Sequence, residues 1–390
     1  VALAPGSIPL EQLSDAVKKV AGPQAPAPLK LMAARGLAPM GPADLVTAIF
    51  QLAQDSDEKV AQAADKTAQT LPDKVLAGAL PAALDGRVLD FFARKILLKP
   101  NLVEIVVLNH ATDDDTFVYL AGNCAERELE LIAANESRIL RHPRIIEALY
   151  WNKQARMSTV DRLIELAVRH GVRCEGIPQF DEVAKAIEAE GPPVFDGKGF
   201  EIDSQFSAAS EAGEALDEIV RAGAAQGGEE GAVDQMDRLM SDERQPELQE
   251  EEQKKKQRIQ DLPMSAKIRL ATIGNASARL CLVKDPNKVV AMAAINSPAL
   301  SDLEAVAIAQ NRQVSREILG VLARNRSFLK LYQVKIGLAF NPKAPLDVVI
   351  KLVSYLHESD VKKLSKSKNV PSQVTSVARR LVEAREKKGK

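Results

Sequence analysis

Leu282-Val-Lys-Asp-Pro-Asn-Lys-Val-Val290 runs on into Ala291-Met-Ala-Ala-Ile-Asn-Ser-Pro298, then Asp302-Leu-Glu-Ala-Val-Ala-Ile-Ala309 and Asn311. A short helix of small apolar residues ends at an Asn, a turn follows, and a new helix starts. The phrase returns in Leu322-Ala-Arg-Asn325, Leu338-Ala-Phe-Asn341-Pro342 and Lys368-Asn-Val-Pro371, with weaker copies at Ala121-Gly-Asn123 and Ala133-Ala-Asn135. The spacing is regular: Asn296 and Asn325 are 29 residues apart, as are Asn123 and Asn152, while Asn341 and Asn369 are 28 apart. Val60, Leu89 and Val118 also repeat at 29.

Asn suits such a place because it tolerates the left-handed conformation that closes a helix, and its side chain can cap the next one. Pro fits the first turn of the following helix, where no amide donor is needed. The competing explanation is a continuous polar ladder of Asn side chains that binds a ligand. Capping accounts for each Asn by itself, so we take it as the expectation.

Outward from this stretch, the first 190 residues read as one amphipathic helix after another. Apolar residues at i, i+3, i+4 and i+7 mark segments such as Pro42–Gln54, Glu58–Thr70, Gly86–Leu97, Glu126–Ala133 and Ser158–His170. Pro, Gly, Asn or Asp marks the breaks between them. No run alternates with period two, so the expected class is all-α, in two blocks of short helix-pair repeats at 1–190 and 263–390.

The pattern of helix, Asp-Pro-x-x-Val, Ala-x-Asn-x-Pro and x-x-x-Leu across residues 282–325 resembles the HEAT-like and leucine-rich-repeat-variant α-solenoids. The resemblance extends over about 300 residues in two blocks and implies an α-solenoid fold; a fold alone imports no function. The period near 28 is shorter than the ~40–47 of HEAT units. The cysteine cluster of an iron–sulfur version is missing.

Residues 191–262 differ from both blocks. They open with Gly191-Pro-Pro, carry Gly227-Gly228, and end in a Glu/Gln/Lys run from Glu247 to Arg258. With 18 acidic and 8 basic residues this segment has a net charge of −10, a composition that favours a flexible linker. Two pieces within it have helical patterning, Ala208–Ala222 and Val233–Met240. Residues 263–390 hold 23 Lys+Arg and 9 Asp+Glu, a net +14, so the chain's overall −1 conceals an acidic middle and a basic end. The expected partner-binding set is Lys362, Lys363, Lys366, Lys368, Arg379, Arg380 and Arg385. Phosphate or an acidic protein would suit them, and a solvated helix face is the plainer account. The acidic linker could also fold back on this block and compete with its partner.

Nothing in the chain reads as a catalytic, metal or cofactor motif. The four histidines, His110, His142, His170 and His357, stand apart from any nucleophile, and GxSxG, GxGxxG and P-loop patterns are missing. Asp113-Asp114-Asp115 after His110 reads as the cap and dipole partner of a helix start, rather than a metal site. Cys124, Cys174 and Cys281 lack metal-ligand spacing and behave as small buried hydrophobes, as in a reducing compartment. Aromatics make up only 4%, so Ala, Leu and Val carry the packing. No apolar run reaches the ~18 residues of a membrane span. The expectation is therefore a cytoplasmic, non-enzymatic scaffold that binds another protein. A nucleic-acid-binding solenoid is the second reading, and a repeat-fold enzyme acting on a base or nucleotide the third.

Overall fold

The computed structural model describes residues 6–190, 198–240 and 249–388. Val1 to Pro5, the Pro/Gly stretch at 191–197, the beginning of the Glu run at 241–248 and the final Gly389-Lys390 lie outside the described residues. The described chain is helical throughout and contains no strand, so the all-α class holds. It divides into two compact units, Val1–Ile177 and Pro178–Lys390.

The first unit contains α1 (Asp15–Ala21), α2 (Ala27–Ala34), α3 (Pro42–Leu52), α4 (Glu58–Thr70), α5 (Asp73–Ala79), α6 (Gly86–Ala93), α7 (Pro100–Leu108) and α8 (Asp114–Asn123). It continues through α9 (Glu126–Ala133), α10 (Glu136–Arg141), α11 (Arg144–Trp151) and α12 (Met157–Arg169). Each helix is short because its caps are local. Pro opens α3 and α7 in the first turn, and Asp57, Asp85 and Asn135 accept backbone amides at the starts of α4, α6 and α10. The apolar stripe of α6, Val88, Leu89 and Phe92, is fully buried. Such burial contributes about 1.5–3 kcal/mol per large side chain. Helices pack on the next but one, α5 on α7, α7 on α9, and α6 on α8.

The second unit contains α13 (Phe180–Glu190), α14 (Lys198–Met240), α15 (Gln249–Gln260), α16 (Met264–Ile273), α17 (Ala276–Leu282) and α18 (Lys288–Ile295). After these come α19 (Asp302–Gln310), α20 (Arg316–Leu322), α21 (Tyr332–Phe340), α22 (Leu346–Val353), α23 (Glu358–Lys366) and α24 (Ser372–Lys388). The alternation recurs: α16 packs on α18, α19 on α21, and α22 on α24. The whole is compatible with a helical repeat architecture.

Hydrogen bonds give the repeat its physical form. Asn109 Nδ2 donates to the Leu80 and Ala82 carbonyls at 2.7 and 3.0 Å, and its Oδ1 accepts the Ala111 amide. Asn152 does the same with the Ala121 and Cys124 carbonyls and the Gln154 amide. Asn341 repeats it with the Ala309 and Asn311 carbonyls and the Lys343 amide. One carboxamide thus folds its own turn and clamps the turn 27–32 residues earlier.

This geometry corrects the expected role of Asn. The clamping residues Asn109, Asn152 and Asn341 are extended, with φ between −76° and −85°. The left-handed region is occupied by Gln179 alone among described non-glycine residues. Asn296 and Asn325, which carried the 29-residue spacing, are exposed and do not clamp a preceding turn through any described bond. The period is real, but it joins two kinds of turn.

Over its described part, the acidic segment is helical and packed. Residues 198–240 form α14, which packs on α17 and α19 and buries Phe206, Ala209, Ala212, Leu216 and Val220. Both expected helical pieces lie within it. A break at Gly228, whose φ of +64° is costly for any other residue, separates them. The unit boundary at 177/178 likewise precedes the expected 190.

Candidate interaction surface

The expected basic set lies on α23, α24 and the turn between them, and α23 and α24 pack against each other. The structure divides the seven residues by what their charged ends do. Lys362 Nζ reaches Glu358 at 2.6 Å and Lys363 Nζ reaches Asp360 at 3.4 Å, both within α23. The Lys362 hydrogen bond holds the Glu358 carboxyl below its ordinary range. A hydrogen bond from the Tyr332 hydroxyl, at 2.7 Å, does the same for Asp360, with a smaller contribution from Lys363.

Arg379 and Arg385 have structural partners. Arg379 Nε donates to the Ser365 carbonyl at 3.1 Å, and Arg385 donates to the Leu356 and Ser354 carbonyls at 3.2 and 3.1 Å. Guanidinium groups here satisfy carbonyls left open where α22 and α23 end. Lys366, Lys368 and Arg380 are exposed and make no ion pair among the described residues. They are the part of the set available to a partner.

A second polar region, which the sequence reading did not find, lies in the same unit. A cavity of about 600 Å³ is lined by Lys267, Lys284, Asp285, Gln257, Gln313 and Lys343, among others. Lys267 pairs with the buried Asp285 at 3.2 Å. Lys284 Nζ lies 3.3 Å from Gln313 Oε1, and Lys343 Nζ donates to the Gln313 carbonyl at 3.1 Å. Positions 284, 313 and 343 occupy successive turns, so their spacing of 29 and 30 residues was the available signal.

The remaining candidates have structural settings. Cys124, Cys174 and Cys281 are buried, and burial pushes the thiols of Cys124 and Cys174 up to about 12 and raises that of Cys281. Such thiols are poor nucleophiles. His170 Nδ1 lies 2.9 Å from the Leu166 carbonyl, and the His357 ring lies against Tyr332 with centroids 4.2 Å apart. Asp113 precedes α8 without a side-chain cap bond, so the expected cap is not formed. Asp114 and Asp115 lie in the first turn of α8 and pair with Arg141 at 2.7 Å and Arg144 at 3.3 Å. No group of three or more His, Cys, Asp or Glu residues among the described ones could hold a metal ion. No described helix is long and apolar enough to cross a membrane.

No protein-family model matches the chain, and no curated protein matches it.

Proposed function

We propose that this chain is a non-catalytic, HEAT-like α-solenoid scaffold whose basic C-terminal surface holds another protein with an acidic face. The carrying observation is the division of the basic set. Four of its residues are tied to neighbouring carboxylates or carbonyls, while Lys366, Lys368 and Arg380 present charge to solvent. Stacked repeats suit that role because a rigid series of helices offers an extended surface. The second reading is nucleic acid bound by the same three residues, which phosphate would also suit. The buried thiols support a reducing, cytoplasmic setting.

The test is amine-reactive cross-linking of the full chain in cell extract, with and without nuclease, followed by mass spectrometry. We expect protein adducts at Lys366 and Lys368 that survive nuclease and show at least tenfold less partner recovery with Lys366→Glu, Lys368→Glu and Arg380→Glu combined, about 1.4 kcal/mol. Adducts lost on nuclease treatment would transfer the role to nucleic acid. Equal recovery by the triple variant would overturn both.

A further inference from the structure

The second unit binds an acidic helix against its own repeats. Helix α14 is acidic, with 10 Asp+Glu and 3 Lys+Arg over residues 198–240. Its buried residues Phe206, Ala209, Ala212, Leu216 and Val220 form one helical stripe. Small residues let its backbone approach closely: a Cβ on Gly213 would lie 2.8 Å from Asn275 Oδ1 and 3.3 Å from Ala278 Cβ. Three polar anchors fix its register. Asp217 Oδ1 accepts both the backbone amide of Ser277 at 2.9 Å and its hydroxyl at 2.7 Å, at the start of α17. Asp237 Oδ1 accepts Asn311 Nδ2 at 3.1 Å, and the Met240 carbonyl accepts Lys284 Nζ at 2.6 Å.

The Asn311 contact is the informative one. Asn109, Asn152 and Asn341 each donate through Nδ2 to two backbone carbonyls of the preceding repeat. Asn311 belongs to the same series, and its Oδ1 accepts the Gln313 amide in the same way. Its Nδ2, however, turns to a carboxylate on α14. The first clamp of the C-terminal repeats is thus satisfied by a ligand-like helix, whereas the others are satisfied by the repeat stack.

We propose that the face formed by α17 and α19 is a docking site for an acidic amphipathic helix of a partner protein, and that α14 is its internal competitor. The partner supplies a carboxylate to Ser277, a second acceptor to Asn311, and a stripe of small and apolar residues between them. This goes beyond the scaffold reading: the face on α17 and α19 is separate from Lys366, Lys368 and Arg380 on α23, α24 and the turn between them, and it takes an occupant of its own. A competitor within the same chain acts at a roughly millimolar effective concentration, so a partner must match its contacts or act after α14 has been weakened.

The test uses the full chain and, as probe, a fluorescent peptide of residues 198–240, read by anisotropy. Asp217→Ala with Asp237→Ala in the chain should raise peptide affinity about tenfold over the unsubstituted protein. The same two substitutions placed in the peptide should abolish that gain. Gly213→Cys with Ala278→Cys provides an independent variant, since the 3.3 Å Cβ separation is close to the ~3.5–4.5 Å of a disulfide. Oxidation should hold α14 in place and remove peptide binding, and reduction should restore it. Equal affinity in all forms, or binding indifferent to oxidation, overturns the proposal. Dimerisation of the weakened variant without peptide also overturns it, because a second copy would then supply the helix. Peptide binding without cross-linked protein at Lys366 would sink the scaffold reading alone, and the reverse result would sink this inference alone.

Discussion

The turns at Asn152 and Asn341, one in each unit, share a design and differ in how charge is used around them. Both Asn residues are buried, have φ and ψ within a few degrees of each other, and clamp the turn about 30 residues earlier. In the first unit, cations next to such turns meet acids of the neighbouring repeat: Arg141 with Asp114, Arg162 with Glu136, Lys99 with Asp73. That unit carries 20 Lys+Arg and 22 Asp+Glu, so partners are at hand. Residues 263–390 have 23 bases and 9 acids, so most cations there cannot each have an acid of their own within the block. The same hydrogen-bonded frame is therefore charge-closed in one place and charge-open in the other. The acidic α14 lies inside the second unit, and the proposed acidic partner would answer the same excess from outside.

The largest expected effect tests the exception within the basic block. Arg279 and Glu304 form a buried two-pronged pair between α17 and α19, with Nε to Oε1 at 2.8 Å and Nη2 to Oε2 at 3.1 Å. Ser301 also donates to Glu304 through its amide and hydroxyl. Arg279→Met strands a buried carboxylate and should cost about 3–5 kcal/mol. The matched change in the first unit is Arg138→Met, which removes a 2.6 Å bond to the Thr112 carbonyl and a 3.5 Å pairing with the more exposed Asp114. It should cost about 1–2 kcal/mol. Urea unfolding of the two variants measures the difference, and equal losses would mean that the few acids of the basic block are not specially placed.

Next in size is the clamp itself. Asn152→Ala and Asn341→Ala each remove two donors to buried carbonyls and one acceptor, and each should cost about 1–3 kcal/mol. Amide exchange should quicken at Gln154 or Lys343, according to the variant. Asn311→Ala should cost less, because the acceptor it abandons is a side chain that can turn to water. If all three cost the same, α14 is as integral to the fold as a repeat.

Much of this was legible in the sequence, and the misses have physical causes. Periodicity and capping residues placed segments of the first block such as Pro42–Gln54, Glu58–Thr70 and Glu126–Ala133 within a few positions. The Asn spacing revealed the period, although a side chain that reaches back about 30 residues leaves the same trace as one that caps locally. The short α10 carries too few apolar residues to show a stripe. Both helical pieces of the acidic segment were legible, but their packing on α17 and α19 was not, because small residues such as Ala209, Ala212 and Gly213 become a packing face only when a partner backbone comes close. The basic set was visible as composition, but the separation of Lys366, Lys368 and Arg380 from their carbonyl-bound neighbours required the fold.

The smallest expected effect lies at Asp113 in the first unit, where carboxylates gather. Asp113 packs against Gly86, close to Asp85, Asp90 and Asp114. Burial, followed by repulsion from those carboxylates, raises its pKa above 3.8, and Arg138 only partly offsets this. A carboxyl whose pKa is raised by folding penalises the folded state when ionised. That penalty is complete above the raised value and vanishes below the unfolded one. Asp113→Asn should therefore stabilise the protein at neutral pH, by a few tenths of a kcal/mol because the group is exposed. The gain should fade as pH drops towards 3.8. Asp85, which caps α6, supplies the opposite sign. Its hydrogen bond from Arg87 holds its pKa down, so Asp85→Asn should destabilise at neutral pH and lose that effect in acid. Thermal melts of both variants from neutral to acid pH separate the two signs. A shared sign would mean that the acids of the first unit act as one diffuse field and not as paired and unpaired sites.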